Sequence, residues 1–235
     1  MININIGVFA FDFPHKKTQD FLLRMFIEGY NPNVIIGAPY KDLGNKENIT
    51  NLRIKPKHVD LIEPKKIAEK LNIPYYSLDH NSPKTKKILE IYNIELGIIA
   101  GARILSEEII SCCKSGIINF HPGILPENRG LDTLKWALYK ELPIGVSVHY
   151  INKKIDSGKL IMIQEVELKK DDTLIDISIR LAETHLNLIP NVFNLLIKKN
   201  MQDFSELHGG FLHSNFPFDK EEEMLKKFKI RKSKL

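Results

Sequence analysis

The sequence lacks the features that would place the chain in a membrane, at a metal centre or in a disulfide scaffold. No apolar run reaches the roughly 18 residues of a membrane-spanning helix. The N-terminal stretch MININIGVFAFDF has no basic region and no small-residue cleavage site, so it predicts a first strand and no signal peptide. The two cysteines, Cys112 and Cys113, are adjacent, which fits neither a disulfide framework nor a metal-ligand spacing. We expect a cytoplasmic protein with no membrane span and no metal.

Common nucleotide-binding and hydrolase motifs are missing as well. None of the 13 glycines forms the G-x-G-x-x-G fingerprint or the G-x-x-x-x-G-K-[ST] phosphate loop. There is no H-E-x-x-H and no G-x-S-x-G motif. His208 and His213 flank a glycine-rich stretch, and we interpret them as packing residues rather than metal ligands. These absences disfavour a dinucleotide oxidoreductase and a P-loop enzyme.

What is present is ordinary globular composition. Of the 235 residues, 43% are hydrophobic and 27% are charged, which excludes a disordered or collagen-like chain. A chain of this length buries roughly 70–75% of its unfolded surface. It therefore needs neither disulfides nor a structural metal to fold.

The net charge of +5 is concentrated at one end of the chain. Residues 224–235 hold six basic side chains and no acidic one, so the other 223 residues carry a net charge of −1. A nucleic-acid binder would spread its positive charge over a folded face. We interpret the excess as a solvated, fraying helix end, with an RNA- or membrane-contacting tail as the alternative. No nucleic-acid partner is predicted.

Strands and helices alternate along the chain. Strands are predicted at residues 2–10, 34–37, 74–77, 96–100, 116–120, 145–151 and 160–168. Helices are predicted to begin at Thr18, Pro64, Pro83, Ser106, Leu131 and Thr173. Gly29 should end the first helix, and Pro190 should kink or split the last one. The alternation predicts an α/β fold, a doubly wound and mostly parallel sheet with helices on both faces.

The predicted domain organisation has two parts and one long loop. Residues 1–200 should form the catalytic domain, and residues 201–235 a C-terminal appendage that carries the basic tail. Residues 39–63 have weak periodicity and predict a long loop, a kind of segment that is often functional.

Three polar residues follow predicted strands closely enough to form a site. Asn119 and His121 lie at i and i+2 where an apolar strand ends, so their side chains point the same way. Asp156 follows 35 residues later, in a turn that contains Gly158. Together they would offer an amide, an imidazole and a carboxylate without a nucleophilic Ser or Cys. From spacing alone, a loop-capping Asn, a core His and a turn-stabilising Asp remain open.

Longer segments around these residues resemble a known family. IINFHPGILPENRG (117–130) and IDSGKLI (155–161) are similar to the signature of the folate-dependent formyltransferases. That family includes glycinamide ribonucleotide formyltransferase, methionyl-tRNA formyltransferase and the sugar N-formyltransferases. IIAGARILSEEII (98–110) resembles the family's preceding strand and folate-contacting loop. The likeness is weaker in the first 90 residues and absent from the last 30, and it implies a Rossmann-like formyltransferase fold.

The resemblance implies a reaction and roles for individual residues. The formyl group of 10-formyltetrahydrofolate would move to a primary amine, with Asn119 and a protonated His121 stabilising the oxyanion by roughly 2.7–4 kcal/mol per donor. Asp156 would orient the imidazole, raise its pKa and help to shuttle a proton. By the same resemblance the folate contacts come from two loops, made of Arg103, Ile104 and Leu105, and of Ile151, Asn152, Lys153 and Lys154.

Departures from the family pattern reduce the set of candidate acceptor amines. Glycinamide ribonucleotide enzymes carry a glycine- and serine-rich phosphate loop after the first strand, whereas residues 9–18 read FAFDFPHKKT. They also read H-P-S where this chain has a glycine, Gly123, in the third position. Methionyl-tRNA enzymes carry a further C-terminal β-barrel, for which too few residues follow the long helix. The resemblance is closest to the sugar N-formyltransferases, which act on nucleoside-diphosphate amino sugars, here for surface polysaccharide synthesis.

Several residues are candidates for contacting that acceptor. Arg129 could bind its phosphates, and a loop-bracing salt bridge is the alternative. His15, Lys16 and Lys17 could replace the missing phosphate loop, and a solvated helix start is the alternative. Most relatives have an aromatic residue where this chain has Asn128, so the packing of that loop is open.

The sequence is also compatible with other functions. Within the family, the acceptor could be glycinamide ribonucleotide or another small amine. From a different class, the fold could serve as a non-catalytic folate-binding or partner-binding module. The sequence does not fix the oligomeric state, with a homodimer as one candidate.

Overall fold

A computed structural model describes residues 4–42 and 60–235. Most of the predicted 39–63 loop, residues 43–59, lies outside the described residues. Across the described part of the chain the strands are β1 Ile6–Phe11, β2 Val34–Ala38, β3 Tyr75–Ser77, β4 Leu96–Ile99, β5 Ile117–His121, β6 Asn128–Gly130, β7 Gly145–Tyr150, β8 Leu160–Glu165 and β9 Phe211–His213. The helices are α1 Lys16–Ile27, α2 Pro64–Lys70, α3 Pro83–Ile91, α4 Glu107–Ser111, α5 Thr133–Tyr139, α6 Leu174–Leu196 and α7 Glu221–Ser233.

Seven strands form one sheet in the order β3-β2-β1-β4-β5-β7-β8. The first five of these pair in parallel, and β7 and β8 add to β5 as antiparallel strands. The predicted α/β fold with a mostly parallel sheet is confirmed. The carboxyl ends of β1, β4 and β5 lie at one edge, where open parallel sheets bind their ligands.

Both faces of the sheet are buried, because consecutive β1 residues pack into different apolar clusters. Val8 belongs to the larger cluster, with Phe120 on β5 and Phe193 on α6. Phe9 belongs to the smaller one, with Leu89 on α3. Side chains of a strand alternate between faces, so this division places helices on both sides of the sheet.

Most predicted helix boundaries follow from local capping chemistry. Pro64 begins α2, Ser106 accepts a hydrogen bond from the Ile109 N–H at the start of α4, and Gly29, with φ of 79°, follows α1. At the start of α6, Thr173 and Asp176 form a reciprocal capping box.

The predicted start of one helix is wrong, and another helix is not split at its proline. The cap of α1 is His15, whose side chain accepts from the backbone N–H of Thr18, so the helix begins two residues before Thr18. Pro190 does not split α6, which runs unbroken from Leu174 to Leu196. Ile189, Val192 and Phe193 around the proline are buried in the core, and this packing holds the helix together across it.

The basic C-terminal segment is not a fraying end. Residues 221–233 form α7, whose Met224 and Phe228 are buried. Lys227, Arg231 and Lys232 each donate a hydrogen bond to a backbone carbonyl of the body. The predicted fraying end is therefore wrong, because three of its six cations bind carbonyls while Met224 and Phe228 pack inward.

A second, two-stranded sheet joins the C-terminal segment to the loop after β5. In it β6 pairs in parallel with β9. The predicted boundary at residue 200 stays a prediction. Among the helices of the described residues, none is long and apolar enough to cross a membrane.

Candidate active site

The site is built around the carboxyl end of β5. Asn119 and His121 occupy alternate positions of that strand, and Asn119 lies opposite His149 in the antiparallel register with β7. His121 is buried, with 3% of its surface exposed, whereas Asn119 is partly exposed. The predicted pairing of amide and imidazole at one strand end is therefore present.

Asp156 comes to this strand end from the turn between β7 and β8. Its backbone is in the left-handed region, at φ of 47°, which Asp tolerates better than most residues. Its Oδ2 lies 3.4 Å from His121 Nδ1, and its Oδ1 lies 3.5 Å from His149 Nε2. The structure brings Asn119, His121 and Asp156 together, as the family resemblance implies.

The His121 ring is held by a hydrogen bond on one side and by the Asp156 carboxylate on the other. Its Nε2 lies 2.8 Å from the carbonyl oxygen of Asn128. Because a carbonyl oxygen can only accept, this contact places a proton on Nε2. On the other side, Asp156 Oδ2 accepts from the backbone N–H of Gly130 at 2.9 Å, which holds the carboxylate beside Nδ1.

Burial and charge act in opposite directions on His121. Burial lowers its pKa, and Asp156 raises it, but the net pKa lies below the ordinary value of 6.5. The predicted effect of Asp156, which raises the pKa, is present, but desolvation of the imidazolium outweighs it. His121 is therefore mainly neutral at pH 7, and the carboxylate favours its protonated form when a proton is available.

Asp156 is ionised across the ordinary pH range. Burial raises the pKa of its carboxyl, but a hydrogen bond with His149, the charge of His121 and the Gly130 N–H together lower it to about 2. The site therefore keeps a fixed negative charge behind an imidazole that can gain and lose a proton.

His149 is a site residue that sequence reasoning missed. Its Nδ1 donates to the carbonyl of Tyr150 at 2.9 Å, and its Nε2 faces the Asn119 amide at 3.4 Å. It is fully buried, and it links Asn119 to Asp156. The signal was the strand GVSVHYI, which places His149 next to β5 only once the antiparallel register is known.

Lys17 reaches the site from the first turn of α1. Its Nζ donates to the carbonyl oxygen of Phe120 at 3.0 Å, between Asn119 and His121. Burial lowers the pKa of Lys17 to about 8, although Asp156 raises it. Of its neighbours, Lys16 instead pairs with Asp20 on the surface.

Gly123 explains one departure from the family pattern. A Cβ at this position would lie 2.7 Å from the Asn128 carbonyl oxygen and 2.9 Å from His121 Nε2. Glycine therefore leaves room for the hydrogen bond between these two atoms. Asn128 itself is buried, and its side-chain amide donates to the carbonyl of Thr133 at 2.8 Å, which takes the place of aromatic packing in this loop.

The first predicted folate loop lies beyond β4. Leu105 is buried, Ile104 is 69% exposed, and Arg103 donates to the carbonyl of Pro39 at 2.9 Å. Asn81 braces the loop, because its amide donates to the Ile104 carbonyl and accepts from the Ser106 N–H. Ile104 thus presents an apolar surface beside the end of β4.

The second predicted folate loop follows β7. Asn152 closes it internally by donating to the Ser157 carbonyl and accepting from the Lys154 N–H. Lys153 Nζ lies 3.6 Å from the Glu107 carboxylate at the start of α4. This contact places the second loop beside the helix that follows the first.

Arg129 has the bracing geometry rather than a free guanidinium. Its Nε and Nη2 donate to the carbonyl of Ile155 at 3.0 and 2.6 Å, and its Nη1 donates to the carbonyl of Gly209 at 3.2 Å. The alternative that the sequence left open, a loop brace, is the arrangement seen, although its partners are carbonyls and not a carboxylate. A contact with acceptor phosphate stays a prediction.

Within residues 4–42 and 60–235, no group of three or more His, Cys, Asp or Glu side chains is arranged to hold a metal ion. The chemistry of the cluster comes from an amide, two imidazoles, a carboxylate and an ammonium group. Such a set can donate hydrogen bonds to a developing oxyanion and move a proton.

Solved structures share this fold. Glycinamide ribonucleotide transformylase 1 from Symbiobacterium toebii superposes with a TM-score of 0.62 at 20% identity, over 83% of this chain and 88% of that one. A sugar N-formyltransferase from Shewanella sp FDAARGOS_354 superposes with a TM-score of 0.61 at 17% identity, over 89% and 76%. At such identities the likeness shows the fold alone.

Sequence comparisons identify the family. A methionyl-tRNA formyltransferase from Bacillus mycoides (strain KBAB4) is 26% identical over 198 residues, which are 80% of this chain and 59% of that protein. The chain spans about half the length of the curated relatives it matches. Residues 44–193, more than half of the chain, match the Formyl transferase family model. The chain belongs to the formyl transferase family.

Proposed function

We propose that the protein is a folate-dependent N-formyltransferase that moves a formyl group from 10-formyltetrahydrofolate to a primary amine. The observation that carries this proposal is the approach of Asp156 to His121, at 3.4 Å, beside the Asn119 amide. Membership of the formyl transferase family supports it. A module that only bound folate would have no need of this hydrogen-bonded set.

The bound folate would supply the formyl group, and the protein would supply a pocket for it. The two loops that border the space beyond β4 and β5 fit this role. Ile104 offers exposed apolar surface for a flat ring, and backbone groups of Arg103 and Leu105 lie beside it. The loop of residues 151–154, held by the Lys153 ion pair, would close the opposite side.

Asn119 and His121 would act on the formyl oxygen. As an amine adds to the formyl carbon, negative charge develops on that oxygen. An Asn119 N–H would donate to it, an effect typically worth about 2.7–4 kcal/mol per donor. A protonated His121, whose ring nitrogens face the Asn128 carbonyl and Asp156, would stabilise the same oxygen by its positive charge. His149 Nε2 lies 3.4 Å from the nitrogen of the same amide and helps to orient it.

Asp156 would assist the transfer of the proton that the attacking amine must lose. Its ionised carboxylate favours the imidazolium form of His121, while burial of the ring favours the neutral form. The ring would therefore gain and release protons readily, which suits transfer from the attacking amine to the leaving folate nitrogen, through water where needed.

We propose that the acceptor is the amino group of a nucleoside-diphosphate amino sugar. The loop after β1 supports an acceptor other than glycinamide ribonucleotide, because it has no glycine to cradle a phosphate with backbone N–H groups. Instead, Phe11 and Phe13 stack at 4.9 Å, and His15 caps α1. The cytoplasmic location and the homodimer stay predictions.

A panel of amines tests both levels of the proposal. The protein is incubated with 10-formyltetrahydrofolate and either glycinamide ribonucleotide, methionyl-tRNA or a set of nucleoside-diphosphate amino sugars. Formylation of an amino sugar with the highest kcat/KM is the expected result. Preference for glycinamide ribonucleotide or methionyl-tRNA would contradict the acceptor, and folate binding without turnover of any amine would contradict catalysis.

A further inference from the structure

Three consecutive residues of β6 each hold one part of the candidate active site. The carbonyl of Asn128 accepts from His121, the guanidinium of Arg129 donates to the carbonyl of Ile155, and the N–H of Gly130 donates to the Asp156 carboxylate. Because Ile155 directly precedes Asp156, two of these contacts fix the same turn. The position of β6 thus sets the distance between the carboxylate and the imidazole.

The short strand β6 is itself held by β9. The two strands pair over residues 128–130 and 211–213, and the N–H of Leu131 donates to the carbonyl of His213 at 3.0 Å. Arg129 adds a side-chain contact with the carbonyl of Gly209 at 3.2 Å. The segment that contains β9 lies outside residues 44–193, which match the family model.

Independent contacts fasten β9 to α5 and the loop before it. The ring of Trp136 stacks on His213 with centroids 4.5 Å apart, and its Nε1 donates to the carbonyl of Ser214 at 2.9 Å. The N–H of Phe216 donates to Asp132 Oδ2 at 2.8 Å. Because α5 packs on the body of the protein, these contacts hold β9 in a fixed position.

We propose that residues 209–213 form a positioning element that holds Asp156 against His121 through Arg129 and Gly130. The catalytic consequence rests on the proposed function, but the positioning itself does not. The C-terminal segment then positions active-site residues and is not a peripheral appendage.

Two neighbouring glycines provide a matched pair of variants. Gly209 and Gly210 have almost the same positive φ, 75° and 76°. A Cβ at position 209 would meet no atom within 4 Å, whereas a Cβ at position 210 would overlap the carbonyl of Pro126. Gly209→Ala therefore carries only the backbone cost of an L side chain, and Gly210→Ala additionally pushes the segment away from the catalytic loop.

The kinetic test compares these two variants with the acceptor that the wild type uses best. We expect Gly210→Ala to lower kcat about 10- to 100-fold relative to Gly209→Ala, because small displacements of catalytic groups cost rates of that order. The KM for 10-formyltetrahydrofolate should stay within about twofold, since the folate loops are untouched. Equal kcat values for two folded variants would overturn the proposal.

A second measurement does not depend on turnover. Asp156 raises the pKa of His121, whereas burial, His149 and Lys17 lower it. Retreat of the carboxylate should therefore lower the His121 titration midpoint, followed by NMR, in Gly210→Ala but not in Gly209→Ala. An unchanged midpoint in Gly210→Ala would overturn the proposal, whereas a lowered midpoint in a protein that formylates no amine would support positioning and count against the proposed function.

Arg129→Met extends the test to a variant that leaves both glycines in place. It removes the donors to the Ile155 and Gly209 carbonyls. A positioning role predicts a lower kcat and a lower His121 midpoint with the acceptor KM retained. A raised acceptor KM with unchanged kcat and unchanged midpoint would instead identify Arg129 as an acceptor ligand and would contradict the proposal.

Discussion

Asp156 Oδ2 lies 3.4 Å from His121 Nδ1, and the opposite nitrogen of the same ring is held by a backbone carbonyl at 2.8 Å. The carboxylate has a pKa of about 2, and the imidazole has a pKa below its ordinary value. A permanent negative charge thus stands beside a ring whose proton is weakly held. This arrangement of carboxylate and imidazole is the basis of the chemical role that we propose for the site.

Replacing Asp156 with Asn should remove the charge while keeping the shape. The amide oxygen can still accept from the Gly130 N–H, so the turn should stay in place. We expect kcat to fall by about 10²- to 10⁴-fold, the usual contribution of positioned acid–base groups. Asp219→Asn, at an exposed position, is the control. An Asp156→Asn variant with most of the wild-type kcat would exclude a role for this carboxylate.

The same carboxylate should make stability depend on acid pH. Its folded pKa lies below the ordinary 3.8, so it adds stability above that value and loses it as pH falls toward about 2. The shift corresponds to about 2 kcal/mol. Denaturant unfolding of the wild type and of Asp156→Asn at pH 5 and at pH 2 should show their difference changing by about that amount, to the disadvantage of the wild type at low pH. A pH-independent difference would contradict the shift.

Lys17 should act on His121 through its charge. The ammonium group lowers the pKa of the imidazole, so Lys17→Met should raise the His121 midpoint in an NMR titration. Lys16→Met is the matched control, because Lys16 pairs with Asp20 at the surface. Equal midpoints in the two variants would show that Lys17 does not influence the imidazole.

His149 should matter although we assign it no direct contact with the formyl oxygen. His149→Ala removes the partner that faces the Asn119 amide and the hydrogen bond that lowers the Asp156 pKa. We expect a fall in kcat of about 10- to 100-fold, the order that a misplaced catalytic group costs. His208→Ala, at an exposed position, should leave kcat unchanged. Steady-state kinetics of both variants measure this effect. A wild-type kcat in His149→Ala would show that His149 is dispensable.

The buried ion pair between Lys135 and Glu221 should hold α7 on the body. Lys135 is 3% exposed and Glu221 is fully buried. Lys135→Met would leave the Glu221 carboxylate without this cation, which typically costs about 3–5 kcal/mol. Lys229→Met, at an exposed position of α7, should cost far less. Chemical denaturation compares the two, and similar losses would mean that the ion pair contributes little to holding α7 on the body.

The features that the sequence predicted correctly depend on residues that are close together in the chain. Capping at Ser106 and Thr173, and the strand that ends at Asn119 and His121, depend on residues a few positions apart. These features were found because short-range chemistry determines them.

What the sequence could not predict depends on distant partners. The place of His149 requires the register between β5 and β7, and the support of Arg129 requires a strand more than 80 residues further on. The pKa of His121 depends on burial as well as on Asp156, and only the packed structure provides the depth of burial. Local rules also failed at Pro190, where core packing holds the helix together.

The most direct test of the account is single-turnover formyl transfer by wild type, Asn119→Ala and His121→Ala. Each is mixed with 10-formyltetrahydrofolate and the best acceptor amine, and the release of tetrahydrofolate and formylated amine is followed. We predict stoichiometric release of both products by the wild type and a fall of about 10² or more in rate for each variant, with folate binding retained. Wild-type rates in either variant would contradict the assigned roles.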